Sequence, residues 1–146
     1  MTKKPIKTAK TTLFRLIEAG FLSRQALLQP LQENRLEPGD DAILLALKEN
    51  LKQSEPELSR LTGLPQAALA SRLRRLKALR FIISSAPRDD DASGVELTEL
   101  GIKTCAALAE HWQRLDEALI GELGKKDRKK LRKILKRFVT LLSLPH

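Results

Sequence analysis

Between residues 65 and 78 the chain places glutamine, alanine, serine and arginine on one side of an expected helix, a set of side chains suited to reading nucleic-acid bases. Leu69, Leu73 and Leu76 mark its inward side. Ala67, Ser71, Arg74 and Ala78 then point outward, flanked by Gln66, Ala70 and Arg75. Small side chains let a helix approach base edges closely. Alanine can touch a thymine methyl, Gln66 can pair with adenine, and the arginines can pair with guanine or a phosphate. Such a face also occurs as an ordinary solvated surface, and the elements around it must decide between the two.

Other reactive residue types are sparse. Cys105 is the single cysteine, so the chain can form no intramolecular disulfide, and a reducing cytoplasm is its expected location. Cys105 lies at an apolar position and reads as a buried, inert thiol rather than a redox sensor. His111 and His146 are the only histidines and with Cys105 make no recognisable zinc set. Asp89, Asp90 and Asp91 lack the spacing of a calcium loop. The sequence contains no Gly-rich phosphate loop, nucleophile elbow or helical His pair, so neither an enzyme nor a cofactor or metal is expected.

These candidates need elements to hold them. Leu13 to Leu31 recur at helical spacing, giving one helix or a pair over about 11–32, with Gly20 and Pro30 as weak points. Pro38-Gly39-Asp40 is a turn before a buried helix. Ser54-Glu-Pro-Glu57 is a capping box: Ser54 can accept from the amide of residue 57, and Glu57 can reach back to that of Ser54. A short helix ends at Gly63, and Pro65 opens the next at its first turn. Residues 81–85 and 94–97 read as a two-stranded hairpin around the polar segment 86–93. Thr98 caps a long helix to about Leu123, with Cys105, Leu108, Trp112, Leu115 and Leu119 as its stripe. Gly124 separates it from a last helix to Leu142.

Two short helices joined by a tight turn and followed at once by a hairpin make a helix-turn-helix with a wing. The second helix is then placed to enter a major groove about 12 Å wide. The hairpin therefore favours the nucleic-acid reading of the 66–75 face. The candidate DNA-binding set is Ser54, Pro65, Gln66, Ala67, Ala70, Ser71, Arg74, Arg75 and, in the wing, Arg88.

Several of these runs, in order, resemble the MarR family. They are Pro38-Gly39-Asp40 with Leu44-Leu45-Ala46-Leu47, then Glu57 to Leu64, then Ser71-Arg72-Leu73-Arg74-Arg75-Leu76, then Leu97-Thr98-Glu99-Leu100-Gly101. The resemblance covers nearly the whole chain. It implies a mainly α fold of about six helices and a two-stranded β-wing in a single unit over 1–146. Residues 38–97 would be the winged helix-turn-helix lobe, and 1–37 and 98–146 the dimerisation helices. It further implies a homodimer that binds a pseudo-palindromic site in double-stranded DNA, represses transcription and releases DNA on binding a small aromatic or phenolic effector. The effector pocket would lie between lobe and dimer helices. Phe14, Phe21 and Trp112 are candidates to line it, with core packing as the default reading for so few aromatics.

The sequence departs from the family's pattern in the wing, where Asp89 matches the usual Asp of Asp-x-Arg but Asp91 replaces the Arg. Ser71 stands where an Arg is common. Residues 38–97 carry nine basic and nine acidic side chains, whereas 124–146 carry nine and one of the net +9. An acidic wing repels phosphates. The alternative from a different class is therefore a MarR-fold module that binds a protein partner. The basic last helix reads either as a solvated face or as a polyanion contact. No membrane segment is expected.

Overall fold

The computed structural model describes residues 7–49, 52–85 and 94–144. After a single 3-10 turn at Thr8–Lys10, seven α-helices and three strands follow among these residues. In chain order they are α1 (Thr12–Ala26), α2 (Leu28–Glu33), α3 (Asp40–Glu49), β1 (Lys52–Ser54), α4 (Glu55–Thr62), α5 (Gln66–Ala78), β2 (Ile82–Ser84), β3 (Gly94–Leu97), α6 (Glu99–Ile120) and α7 (Lys125–Leu142).

Local signals fix most boundaries. Thr11, Ser54 and Thr98 cap α1, α4 and α6, each hydroxyl accepting from the amide three residues on. The break between α1 and α2 falls at Leu27 (φ −97°, ψ 1°), not at Gly20 or Pro30. Pro30 lies in the first turn of α2, where a missing amide proton costs nothing. α6 stops at Ile120, a few residues before the expected end at Leu123.

The hairpin is one part of a three-stranded antiparallel sheet with β3 in the centre. β1, absent from the sequence reading, pairs Gln53 with Val95, and β2 pairs Ser84 with Val95 from the other side. The additional strand gives the wing a partner along its inner edge, which an isolated hairpin lacks. Arg88 and Asp89–Asp91 lie outside the described residues.

One core cluster holds the lobe together: Leu31, Leu36, Ile43, Leu44, Leu47, Leu58, Leu69, Leu73, Leu76, Phe81, Ile82, Val95, Cys105 and Leu108. It draws on every element from α2 to α6 except β1. The first half of α6 is bonded to the lobe at short range. Gly101 lies against the backbone of Phe81, whose carbonyl oxygen an added Cβ would strike. Thr98 Oγ1 also donates to the carbonyl of Arg80 at 2.6 Å. Beyond Leu108 the stripe of α6 emerges: Trp112 is 39% and Leu119 54% exposed. α1 and α7 bury no residue completely, and their apolar positions, among them Ile17, Phe21, Leu135 and Val139, face outward.

Candidate nucleic-acid interface

α4 and α5 meet in a turn stitched by its own side chains. Gly63 adopts φ +76°, the left-handed conformation that ends α4. Ser59 Oγ donates to the carbonyl of Leu64 at 2.6 Å, and Thr62 Oγ1 accepts from the amide of Leu64 at 3.3 Å. Pro65 is the residue just before α5 rather than its first helical residue. Ser54 accepts from the Glu57 amide at 3.3 Å, but Glu57 does not reach back to it. Its carboxylate binds Arg60 at 2.8 Å instead.

Leu69, Leu73 and Leu76 are buried, so α5 turns Gln66, Ala67, Ser71, Arg74 and Ala78 to the outside, with Ala70 half-covered. Arg74 makes no ion pair among the described residues. Beyond the expected set, Lys77 and Arg80 are also exposed at the end of this helix. The stretch from Gln66 to Arg80 contains no acidic residue.

Arg80 carries a signal that sequence reasoning missed. The amide of Phe81 bonds to the carbonyl of Leu76 at 3.0 Å and that of Arg80 to Lys77 at 3.0 Å, the double bond of a Schellman end. Arg80 then occupies φ +69°, where glycine is the usual residue. A bulky cation is thus kept at a position that costs it about 1 kcal/mol of backbone strain.

Arg75 departs from expectation. Its guanidinium Nη2 lies 2.8 and 2.6 Å from the two carboxylate oxygens of Asp40, and Nη1 is buried as well. Arg72 Nη1 donates to Asp40 Oδ1 at 2.9 Å. Asp40 is completely buried, so two arginines of α5 are consumed in bolting it to α3 rather than in facing solvent. Gly39 makes room for this: its φ is +101°, and an added Cβ would lie 3.3 Å from the Arg72 guanidinium.

The neighbouring Asp41, equally buried, joins different elements. Both of its oxygens accept from Arg24 Nη1 of α1, at 2.9 and 2.8 Å, and Oδ2 accepts from Trp112 Nε1 of α6 at 3.0 Å. Arg24 and Trp112 also border a cavity of about 450 Å³ lined mainly by apolar side chains of α6, among them Leu115 and Leu119, together with Leu27 at the break between α1 and α2 and Leu135 of α7. Of the three aromatic candidates only Trp112 lines it. Phe14 and Phe21 are on the outer surface of α1, 37% and 62% exposed, and border no part of this cavity.

Cys105 is fully buried, its thiol donating to the Leu44 carbonyl at 3.2 Å. Burial pushes the thiol from its ordinary 9.0 up to about 11, with Lys48 drawing it slightly back. That is the environment of a packing residue, not of a reactive thiolate. Among the described residues no cluster of His, Cys, Asp or Glu could hold a metal ion, and no helix is long and apolar enough to cross a membrane.

The sequence matches no protein-family model and no curated protein. Solved structures do share its fold. The *Bordetella bronchiseptica* BpsR structure, which concerns regulation of DNA binding by 6-hydroxynicotinic acid, superposes with a TM-score of 0.79 at 20% identity, covering 93% of this chain and 98% of the other. A MarR protein from *Peptoclostridium difficile* gives 0.78 at 18% identity over 98% and 95% of the two chains. *S. aureus* MepR in complex with DNA gives 0.76 at 17% identity over 94% and 99%. The winged helix-turn-helix architecture of MarR-type regulators is therefore the fold of this chain.

Proposed function

We propose that this chain is a DNA-binding transcriptional regulator of MarR type, not an enzyme, acting as a homodimeric repressor. The observation that carries the reading is α5. Its exposed face offers Gln66, Ala67, Ala70, Ser71 and Arg74, its cationic end offers Lys77 and Arg80, and Asp40 holds it rigidly to α3. A helix so fixed can lie in a major groove with its small residues against the bases. Ser54 and Pro65, at the heads of α4 and α5, are in reach of the flanking phosphates, and Arg88 of the wing completes the contact. Arg75 is reassigned to holding α5 in place.

Dimerisation is supported by the outward apolar positions of α1, the second half of α6 and α7, more than a monomer of this size ordinarily leaves open. In this reading residues 1–37 and 98–146 form the dimer region and 38–97 each reading lobe. The effector is a small aromatic or phenolic molecule in the cavity beside Trp112. Its volume suits such a ligand, and the likeness to BpsR, whose DNA binding is regulated by 6-hydroxynicotinic acid, agrees with it. The protein works in the cytoplasm.

Selection of duplexes from a random library by the purified protein, at low and moderate salt, tests this. Enrichment of a palindrome with half-sites about one helical turn apart is the expected result. Binding that is unspecific and abolished by salt would sink it. One observation favours the second reading, a protein-interaction module: residues 38–97 have as many acidic as basic side chains. In that case no duplex would be enriched at any salt.

A further inference from the structure

The most concentrated charge in the molecule lies outside the reading lobe. α7 and the residues after it carry nine basic side chains and one acid, and none of the nine forms an ion pair among the described residues. Helices that merely stay in solution mix both signs along a face. Here Lys126, Lys129, Lys130, Lys133, Lys136 and Arg137 fall within an arc of about 120° at 3.6 residues per turn. All six are exposed. They run for about 16 Å along the axis at 1.5 Å per residue.

This stripe is remote from α5. α6 touches the lobe through its first half, Gly101 to Leu108, and makes its last bond to it from Trp112. It then runs on to Ile120 before the chain turns into α7, which contributes nothing to the lobe core. α7 rests on the dimer helices: Leu135 borders the cavity with Leu119, and Phe138, Leu141 and Leu142 border a second one with Leu13 and Leu16.

We infer that the basic face of α7 binds the phosphate backbone of a second DNA duplex, so that one dimer bridges two duplex segments. A duplex presents one negative charge per about 1.7 Å of axis, a denser and longer line of anions than an acidic protein patch supplies. The basic arc contains no aromatic or apolar side chain, which a protein partner would need as an anchor. A membrane would need the apolar side of α7, and in the proposed dimer that side is covered by the partner copy, leaving only the basic arc to the outside.

The test immobilises one duplex of random sequence, loads the protein, and measures capture of a second, labelled duplex as salt rises. The variant K126Q/K130Q/K133Q/R137Q is compared with the charge-preserving K126R/K130R/K133R. The expected result is capture by the wild type and the Arg variant, a roughly tenfold loss in the Gln variant, and a log–log salt slope flattened by about 0.9 per lost phosphate contact. First-duplex binding then persists in the Gln variant. If that binding vanishes too, α7 is the only DNA contact: the cationic stripe stands as a duplex site, the bridge is overturned, and the operator reading of α5 fails with it. A wild type that binds one duplex and never a second overturns the inference and leaves the operator reading intact. Binding to phosphatidylserine vesicles but not to duplex also overturns it. Independently of any variant, acetylation of Lys126, Lys130 and Lys133 in the wild type must slow when the second duplex is added. Unchanged labelling counts against the proposal.

Discussion

Asp40 and Asp41, consecutive and both fully buried, divide their bonds between the two halves of the molecule: Asp40 holds Arg72 and Arg75 of the reading helix, Asp41 holds Arg24 of α1 and Trp112 of α6. A displacement of Trp112 or Arg24 at the cavity is therefore felt one peptide away from the bolt that orients α5. Removing the first of these bolts leaves Arg72 without its counter-charge and Arg75 with only the exposed Glu37, 3.4 Å away. Asp40→Asn is expected to destabilise the fold by about 3–5 kcal/mol, the usual result of breaking one side of a buried ion pair. Thermal unfolding measures it, and a melting temperature within a degree or two of wild type would contradict the anchoring role.

Among the described residues Arg74 makes no ion pair that the fold depends on. Arg74→Ala should weaken operator binding by about 1–3 kcal/mol with an unchanged melting temperature. Equal affinity of both proteins for the selected duplex would remove Arg74 from the interface.

Arg80 combines strain with exposure. Arg80→Gly relieves the left-handed backbone and should raise stability by up to about 1 kcal/mol. It should also lower duplex affinity and flatten the salt slope by nearly one unit, the signature of a lost phosphate contact. A gain in stability with no loss in affinity would make Arg80 a purely structural oddity.

Trp112 is the only tryptophan, so its fluorescence reports on the cavity. Titration with a hydroxylated aromatic acid should quench it and release bound duplex over the same concentration range. Trp112→Phe keeps the ring but loses the bond to Asp41, at a cost of about 1.5–3 kcal/mol for a hydrogen bond to a charged group. Quenching without release of DNA would separate the cavity from regulation.

Cys105 makes a prediction about alkaline pH. Its thiol ionises at about 11 in the folded chain against 9.0 in the unfolded one. The folded state thus keeps a proton that the unfolded state gives up, and this contribution is complete below pH 9 and lost as pH rises toward 11. Denaturant midpoints of wild type and Cys105→Ala should differ by a constant up to pH 9 and converge above it. Parallel curves throughout would mean the thiol is not desolvated as described.

The parts of the fold that could be read from sequence are those set by neighbours in the chain. Ser54, Gly63 and Thr98 announce their helix ends because a cap acts over three residues, and Leu69, Leu73 and Leu76 announce their buried side by period alone. β1 could not be read, since Lys-Gln-Ser has no strand character and exists by pairing with β3, some forty residues on. The same holds for Arg75. On a helical wheel it is one more flanking cation, and only a carboxylate 35 residues earlier in the chain shows that it points inward. Exposure of Arg74 follows from the wheel; the engagement of its neighbour does not.

The adjacency of Asp40 and Asp41 also limits how this chain can change length. A single residue inserted or deleted between Asp41 and Ile43 would turn the start of α3 by about 100° relative to its buried residues Ile43, Leu44 and Leu47. Both carboxylates would leave their partners together, whereas the same event in an outer loop would be absorbed. Homologues that vary freely in the segment 86–93 should therefore keep the count between Asp41 and Ile43 unchanged, a regularity set by the phase of one helix rather than by any contact with DNA.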